Sequence, residues 1–212
     1  MLLEGDPDKW DLAKGFEKQI KLARAVVTRY ASSKEVSWLQ LARAALNVAQ
    51  VDVHLRRPPM DLLDDPPGLY YHKSEVAELK QLADLWQMKA TWHRSRETVV
   101  LCPTFGEGSL MVGGGMGDML LDDTLMDIKC VSEMKFRREY FNQLVGYCIL
   151  AEIGGIDGAP PGHRIRNIAV YFARHGETRT MSLDEVMYPG TMSATVAWFQ
   201  KLVAQQRRAQ TG

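Results

Sequence analysis

The stretch from Met119 to Val131 constrains this chain more than any other, because two short apolar runs, 119–121 and 125–131, are separated only by Asp122, Asp123 and Thr124. A gap that short, filled by acids that favour turns, pairs the two runs as a strand-turn-strand hairpin. Asp118 opens the first strand. Side chains alternate faces along a strand, so Asp127 and Lys129 point to one side and Ile128 and Cys130 to the other. If that face also holds Asp118, the hairpin presents two carboxylates and an ammonium together. Such a group is costly to desolvate unless a metal ion or a substrate uses it. Two carboxylates suit Mg²⁺, a hard cation that prefers oxygen ligands and keeps several waters.

Upstream of the hairpin the apolar period is helical. Leu12, Phe16, Ile20, Ala23, Val27 and Tyr30 recur at helical spacing, with Lys14, Lys18, Lys21 and Arg24 around the rest of the circumference, which predicts a basic amphipathic helix. Ser32-Ser33-Lys34-Glu35 has the form of a capping box, and Val36, Leu39, Ala42, Leu46, Ala49 and Val53 continue a second helix until Pro58-Pro59 stops it. Residues 56–68, with four prolines and the acids Asp61, Asp64 and Asp65, read as an exposed connection. A third helix runs from Ser74 to about Ala90, with Val76, Leu79, Ala83 and Trp86 on its inward stripe.

Past residue 92 the period becomes that of strands. Residues 98–102 and 110–112 are expected as strands ahead of the hairpin, followed by a helix over 136–152, a Gly/Pro-rich loop over 154–162 and a strand over 167–173. An edge strand over 178–183 and a closing helix over 191–208, carrying the apolar Trp198, Leu202 and Val203, complete the chain. Strand, helix, strand is an α/β crossover. With 212 residues, 46% of them hydrophobic, the chain reads as one domain over 1–212, mainly helical in 1–92 and a sheet core in 93–212. Gly113, Gly114, Gly115 and Gly117 lead into a strand rather than a helix, and no GK[ST] is present, so this is a turn and not a phosphate loop.

Lysine and arginine number 26 and so do aspartate and glutamate, so any affinity for nucleic acid has to come from how charge is distributed. Lys135, Arg137 and Arg138 at the start of the 136–152 helix, and His93, Arg94 and Arg96 before the first strand, are local cations for a phosphate backbone. No apolar run approaches the roughly 18 residues a membrane helix needs, and the opening lacks the basic-then-apolar build of a signal peptide. The expectation is a cytoplasmic protein with no membrane partner. Cys102, Cys130 and Cys148 lack paired spacing and are expected to be buried free thiols.

Asp118, followed after eight residues by Asp127-Ile128-Lys129, resembles the metal-binding motif of the PD-(D/E)XK nuclease superfamily. Gln143 and Tyr147, four apart on one helix face, are similar to the QxxxY element of its RecB-type exonuclease branch. Together these motifs cover roughly the last half of the chain. The resemblance implies an αβββαβ core with a helical N-terminal elaboration, and Mg²⁺- or Mn²⁺-dependent hydrolysis of phosphodiester bonds, DNA being the expected substrate. It implies that Asp118, Asp127 and the Ile128 carbonyl hold the ion. Lys129 orients and helps deprotonate the attacking water, while Gln143 and Tyr147 position the lysine or the substrate. A third carboxylate comes from an early helix in such enzymes. Glu17, in Lys14-Gly15-Phe16-Glu17, is the first choice, with Glu75 and Glu78 as rivals. Some RecB-type members carry an iron-sulfur cluster on four cysteines; three cysteines do not supply that set, so none is expected. The lack of any helicase motif leaves room for a helicase or other protein partner. The competing expectation is a nuclease-fold subunit of a larger nucleic-acid-processing or defence assembly that does not itself cut.

Overall fold

The computed structural model describes residues 7–33, 35–55, 72–90, 96–188 and 190–211. The chain parts into two compact units, Met1–Ala83 and Asp84–Gly212, a finer division than the single domain expected from length and composition. The division falls inside the third helix, somewhat before the change of period at residue 93.

In the first unit, α1 (Pro7–Ser33) packs against α2 (Trp38–Leu55). The inward seam of α1 is Phe16, Gln19, Ala23, Val26 and Tyr30, at alternating steps of three and four, whereas Ile20 and Val27 of the expected stripe are 43% and 51% exposed. A helix meeting one neighbour buries a seam narrower than its whole apolar arc. The capping box also lies elsewhere. The Ser37 N–H donates to Gln40 Oε1 at 2.9 Å and the Gln40 N–H to Ser37 Oγ at 3.3 Å. Ser32 instead donates its hydroxyl back to the Thr28 carbonyl at 2.9 Å, so α1 runs on through the predicted cap. On α2, Ala42, Ala44 and Val51 are buried, whereas the predicted Leu39 and Val53 face out. The third helix, α3 (Lys73–Lys89), carries half-buried Val76, Leu79, Ala83 and Trp86 as expected.

The second unit is α/β, built on a mixed, open five-stranded sheet in the order β1-β2-β3-β4-β5. Its elements are β1 (Val99–Leu101), α4 (Gly106–Met111), β2 (Met119–Leu121), β3 (Thr124–Lys129), α5 (Arg138–Gly154), β4 (Asn167–Phe172), β5 (Glu177–Ser182), α6 (Leu183–Val186) and α7 (Met192–Thr211). The first three strands form an antiparallel meander, α5 carries the chain over to β4 parallel to β3, and β5 returns antiparallel.

Residues 110–112 are not the expected strand: Leu110 and Met111 end α4. The Phe105 N–H donates to Ser109 Oγ at 2.8 Å, and that hydroxyl donates to the Gly115 carbonyl at 2.6 Å, a local network that a strand would forgo. The short helix also lies so close to the end of α5 that a Cβ on Gly108 would overlap the Leu150 carbonyl, and one on Gly154 the Phe105 carbonyl. Arg207 of α7 donates to the Leu110 and Met111 carbonyls at 3.1 and 2.7 Å, tying the end of α4 to the closing helix.

The core lies between α5 and the sheet face carrying Leu125, Ile168, Val170 and Phe172, with Leu144 and Cys148 descending from the helix and Phe105 closing one side. Phe199 of α7 packs on it; its neighbour Trp198, which the sequence offers as an apolar contact, is 60% exposed because adjacent residues on a helix do not share a face. On the opposite sheet face the Trp86 and Tyr171 rings meet at right angles, their centroids 4.8 Å apart. Of the cysteines only Cys148 is buried, its thiol pushed up to about 12 by desolvation, while Cys102 and Cys130 sit exposed at strand ends. All three are free, so the expected burial holds for one of them. No helix among the described residues is long and apolar enough to cross a membrane.

Candidate active site

The site forms where the meander meets α5. Met119 pairs with Met126 in the β2–β3 register, so the next cross-strand step beyond the ladder brings Asp118 opposite Asp127. The contact is direct at the backbone: the Ile128 N–H donates to Asp118 Oδ2 at 2.7 Å. A strand residue's N–H and C=O point to the same side. The Lys129 carbonyl accepts from Ala173 on the β4 side at 2.9 Å, so the Ile128 carbonyl faces the opposite, Asp118 side.

Asp127 is only 2% exposed. Lys129 Nζ lies 3.1 Å from its Oδ1 and 2.8 Å from its Oδ2, and the same ammonium donates to Gln143 Oε1 at 3.0 Å. Gln143 Nε2 then donates to the Tyr147 hydroxyl at 3.0 Å, and the Tyr147 ring stacks on Phe105 with centroids 5.4 Å apart. An ammonium has no lone pair, so the amide oxygen of Gln143 has to face Lys129 and its NH₂ the tyrosine. Asp127, Lys129, Gln143 and Tyr147 thus form one continuous line; strand alternation predicts the first pair and helical spacing the second, and the contact of Lys129 with Gln143 joins them. Asp127 Oδ2 takes no aligned hydrogen bond and has the Lys129 ammonium as its near charge.

Desolvation raises the Asp127 carboxyl above its ordinary range; Lys129 pulls it down by hydrogen bond and charge, and the Asp118 carboxylate pushes it further up. Among the described residues no group of three or more His, Cys, Asp or Glu side chains stands in metal-ligand arrangement. The oxygens that the strand register brings together here are those of the Asp118 and Asp127 carboxylates and the Ile128 carbonyl. That set fits Mg²⁺, which binds through one or two carboxylates and retains water, and it does not fit a closed zinc site.

The remaining predicted residues fall as follows. Glu17 lies in the first unit, where it pairs with Lys21 at 2.7 Å, and that hydrogen bond lowers its carboxyl from the usual range. Its rival Glu75 caps its own helix, accepting from the His72 N–H at 2.6 Å; the other rival, Glu78, is half-buried on α3. Arg96 donates to Asp122 Oδ2 at 3.1 Å, beside the β2–β3 turn. Lys135 pairs with Glu133 at 2.8 Å. Arg137 precedes α5 and Arg138 opens it, both exposed, on the connection that leaves the Lys129 strand. Arg94 and His93 lie outside the described residues. Gly113 and Gly114, with φ of 78° and 121°, make the turn ahead of Asp118 that their residue type predicts.

One residue of the site escapes the motifs. The Lys129 ammonium lies over the Tyr140 ring, 5.0 Å from its centroid. The signal for it is Tyr140's position three before Gln143 and seven before Tyr147, on the same face of α5. The chain matches no protein-family model, no curated protein and no solved structure.

Proposed function

We propose that this protein is a Mg²⁺-dependent nuclease that hydrolyses phosphodiester bonds of DNA, on a PD-(D/E)XK-type αβββαβ core. The observation that carries the reading is the unbroken line from buried Asp127 through Lys129 and Gln143 to Tyr147. An ion pair that served stability alone would need neither a third nor a fourth partner, and a buried carboxylate with a raised pKa beside a second carboxylate is a marker of function. The order of the elements, an antiparallel meander followed by a crossover helix and a parallel strand, supports the same reading.

Asp118, Asp127 and the Ile128 carbonyl would hold Mg²⁺ or Mn²⁺, and the bound ion supplies neutralisation of charge at the phosphate oxygens in the transition state. Lys129 has three N–H donors. Asp127 and Gln143 take two directions, leaving one to hold the attacking water in line with phosphorus and steady the developing negative charge. Gln143 fixes the lysine's azimuth, and Tyr147, braced by Phe105, fixes the glutamine. Arg137 and Arg138 would neutralise phosphates beside the cut.

Purified protein incubated with DNA or RNA, in Mg²⁺ and in chelator, tests the reading. The expected result is Mg²⁺-dependent cleavage of DNA, abolished in Asp118→Asn and Asp127→Asn, and slowed about 10²- to 10⁴-fold in Lys129→Met. Absence of cleavage in either Mg²⁺ or Mn²⁺ refutes it, and leaves a non-cutting partner subunit as the reading of this fold.

A further inference from the structure

We infer that Tyr140 is a positioning residue that holds the Lys129 ammonium in place while the carboxylate beside it is engaged elsewhere; the inference rests on the nuclease reading above. Among the described residues three groups contact that ammonium: the Asp127 carboxylate at 2.8 Å, the Gln143 amide oxygen at 3.0 Å and the Tyr140 ring, whose centroid is 5.0 Å away. Their chemistry differs. A carboxylate that ligates a cation shares its charge with it, so its attraction for Lys129 weakens at the moment the site is loaded. Gln143 contributes one neutral hydrogen bond and no net charge. The aromatic face attracts the ammonium through its quadrupole and is no ligand for Mg²⁺, so its attraction is the same whether or not the carboxylates are occupied. Tyr140 lies in the first turn of α5, where its N–H donates to the Arg137 carbonyl at 3.1 Å, and is half-buried against the core. Partial burial against the core restrains the ring beside the Lys129 ammonium. Removing it frees the lysine to swing toward solvent and leaves Asp127 and Gln143 unchanged.

The expected loss for a contact of this kind is about tenfold in rate. The experiment compares Tyr140→Phe, which keeps the ring, with Tyr140→Leu, which keeps apolar bulk and removes the π face. In full-length protein carrying ¹³C-labelled lysine, the Lys129 ε-methylene signal, assigned by its disappearance in Lys129→Arg, is expected upfield of the exposed lysines in wild type. It should stay there in Tyr140→Phe and return toward the exposed lysines in Tyr140→Leu. In Mg²⁺-dependent cleavage, Tyr140→Leu should lose about tenfold in kcat with KM within about twofold, and Tyr140→Phe should stay within about twofold of wild type. A Lys129 signal that is unshifted in wild type, or equal losses in the two variants, overturns the inference. If Tyr140→Leu does not fold, the wild-type and Phe spectra decide: both must show the displaced signal. A wild-type protein that cuts no nucleic acid sinks the nuclease reading, while the spectra still decide whether Tyr140 holds the lysine.

Discussion

At the scale of the residue, Asp122 and Asp127, close in sequence, titrate in opposite directions. The Asp122 carboxylate accepts from the Thr98 and Glu97 N–H groups, both at 2.9 Å, and from Arg96; the Thr98 bond is the main cause that lowers its pKa from the ordinary 3.8. Its contribution to stability is present above 3.8 and is lost as pH falls through the lowered folded value. Asp127 has the reverse sign. Its folded pKa is raised, so the folded state binds the proton more tightly than the unfolded chain, and stability falls as pH rises from 3.8 through that raised value. The ionised form of Asp127 is therefore a cost to the folded protein, and on the nuclease reading a cation held there would offset it. Asp127→Asn removes the buried charge and keeps an acceptor for Lys129. The melting temperature of the ion-free variant at neutral pH should be no lower than that of wild type, and added Mg²⁺ should raise melting in wild type alone. Thermal denaturation with and without Mg²⁺ checks both; a variant that Mg²⁺ stabilises as well as wild type would remove Asp127 from the ligand set.

At the scale of the element, the meeting of α4 with α5 decides where the glycine turn and Asp118 can lie. Gly108 and Gly154 permit this approach, since each would drive a Cβ into a backbone carbonyl of the partner segment. Backbone does not yield as a flexible side chain does. Gly108→Ala should cost about 1–3 kcal/mol, read as a lower midpoint in urea denaturation. Gly113→Ala is the informative contrast, because nothing stands within 4 Å of its Cβ position and its cost comes only from φ of 78°. Equal effects from the two would show that close packing is not what Gly108 serves. The same logic explains Gln143, which binds Lys129 through one end of its amide and Tyr147 through the other. Helical spacing aligns the pair, but the core beneath α5 sets the height at which they meet β3.

At the scale of the whole molecule, the formal charge is zero, so any affinity for DNA has to be local. Arg137 and Arg138 are exposed on the connection between β3 and α5; Lys135 beside them is paired with Glu133. If each arginine neutralises one phosphate, replacing both by alanine should weaken binding and make the slope of log affinity against log salt shallower by about 2. Fluorescence anisotropy with a labelled oligonucleotide across a salt series reads this directly. An unchanged slope would place the phosphate contacts on other residues and leave these arginines as a solvated helix start.

What the sequence determined by itself is local and periodic. A period of two puts Asp127 and Lys129 on one strand face, a tight acidic turn pairs β2 with β3, and a spacing of four aligns Gln143 with Tyr147. These relations hold whatever the rest of the chain does, because bond geometry sets them. Tertiary structure decided the rest. Residues 110–112 have the apolar pattern of a strand, yet Ser109 and the glycines against α5 wind Leu110 and Met111 into a helix end. Ile20 and Val27 belong to the apolar arc of α1, but α2 covers the seam through Phe16 and Ala23 and leaves these two exposed. Tyr140 meets Lys129 only because the crossover lays α5 on that face of the sheet. The desolvation that raises Asp127 is likewise a property of the packed core around it. Periodicity tells which residues share a face; only packing tells what that face is pressed against.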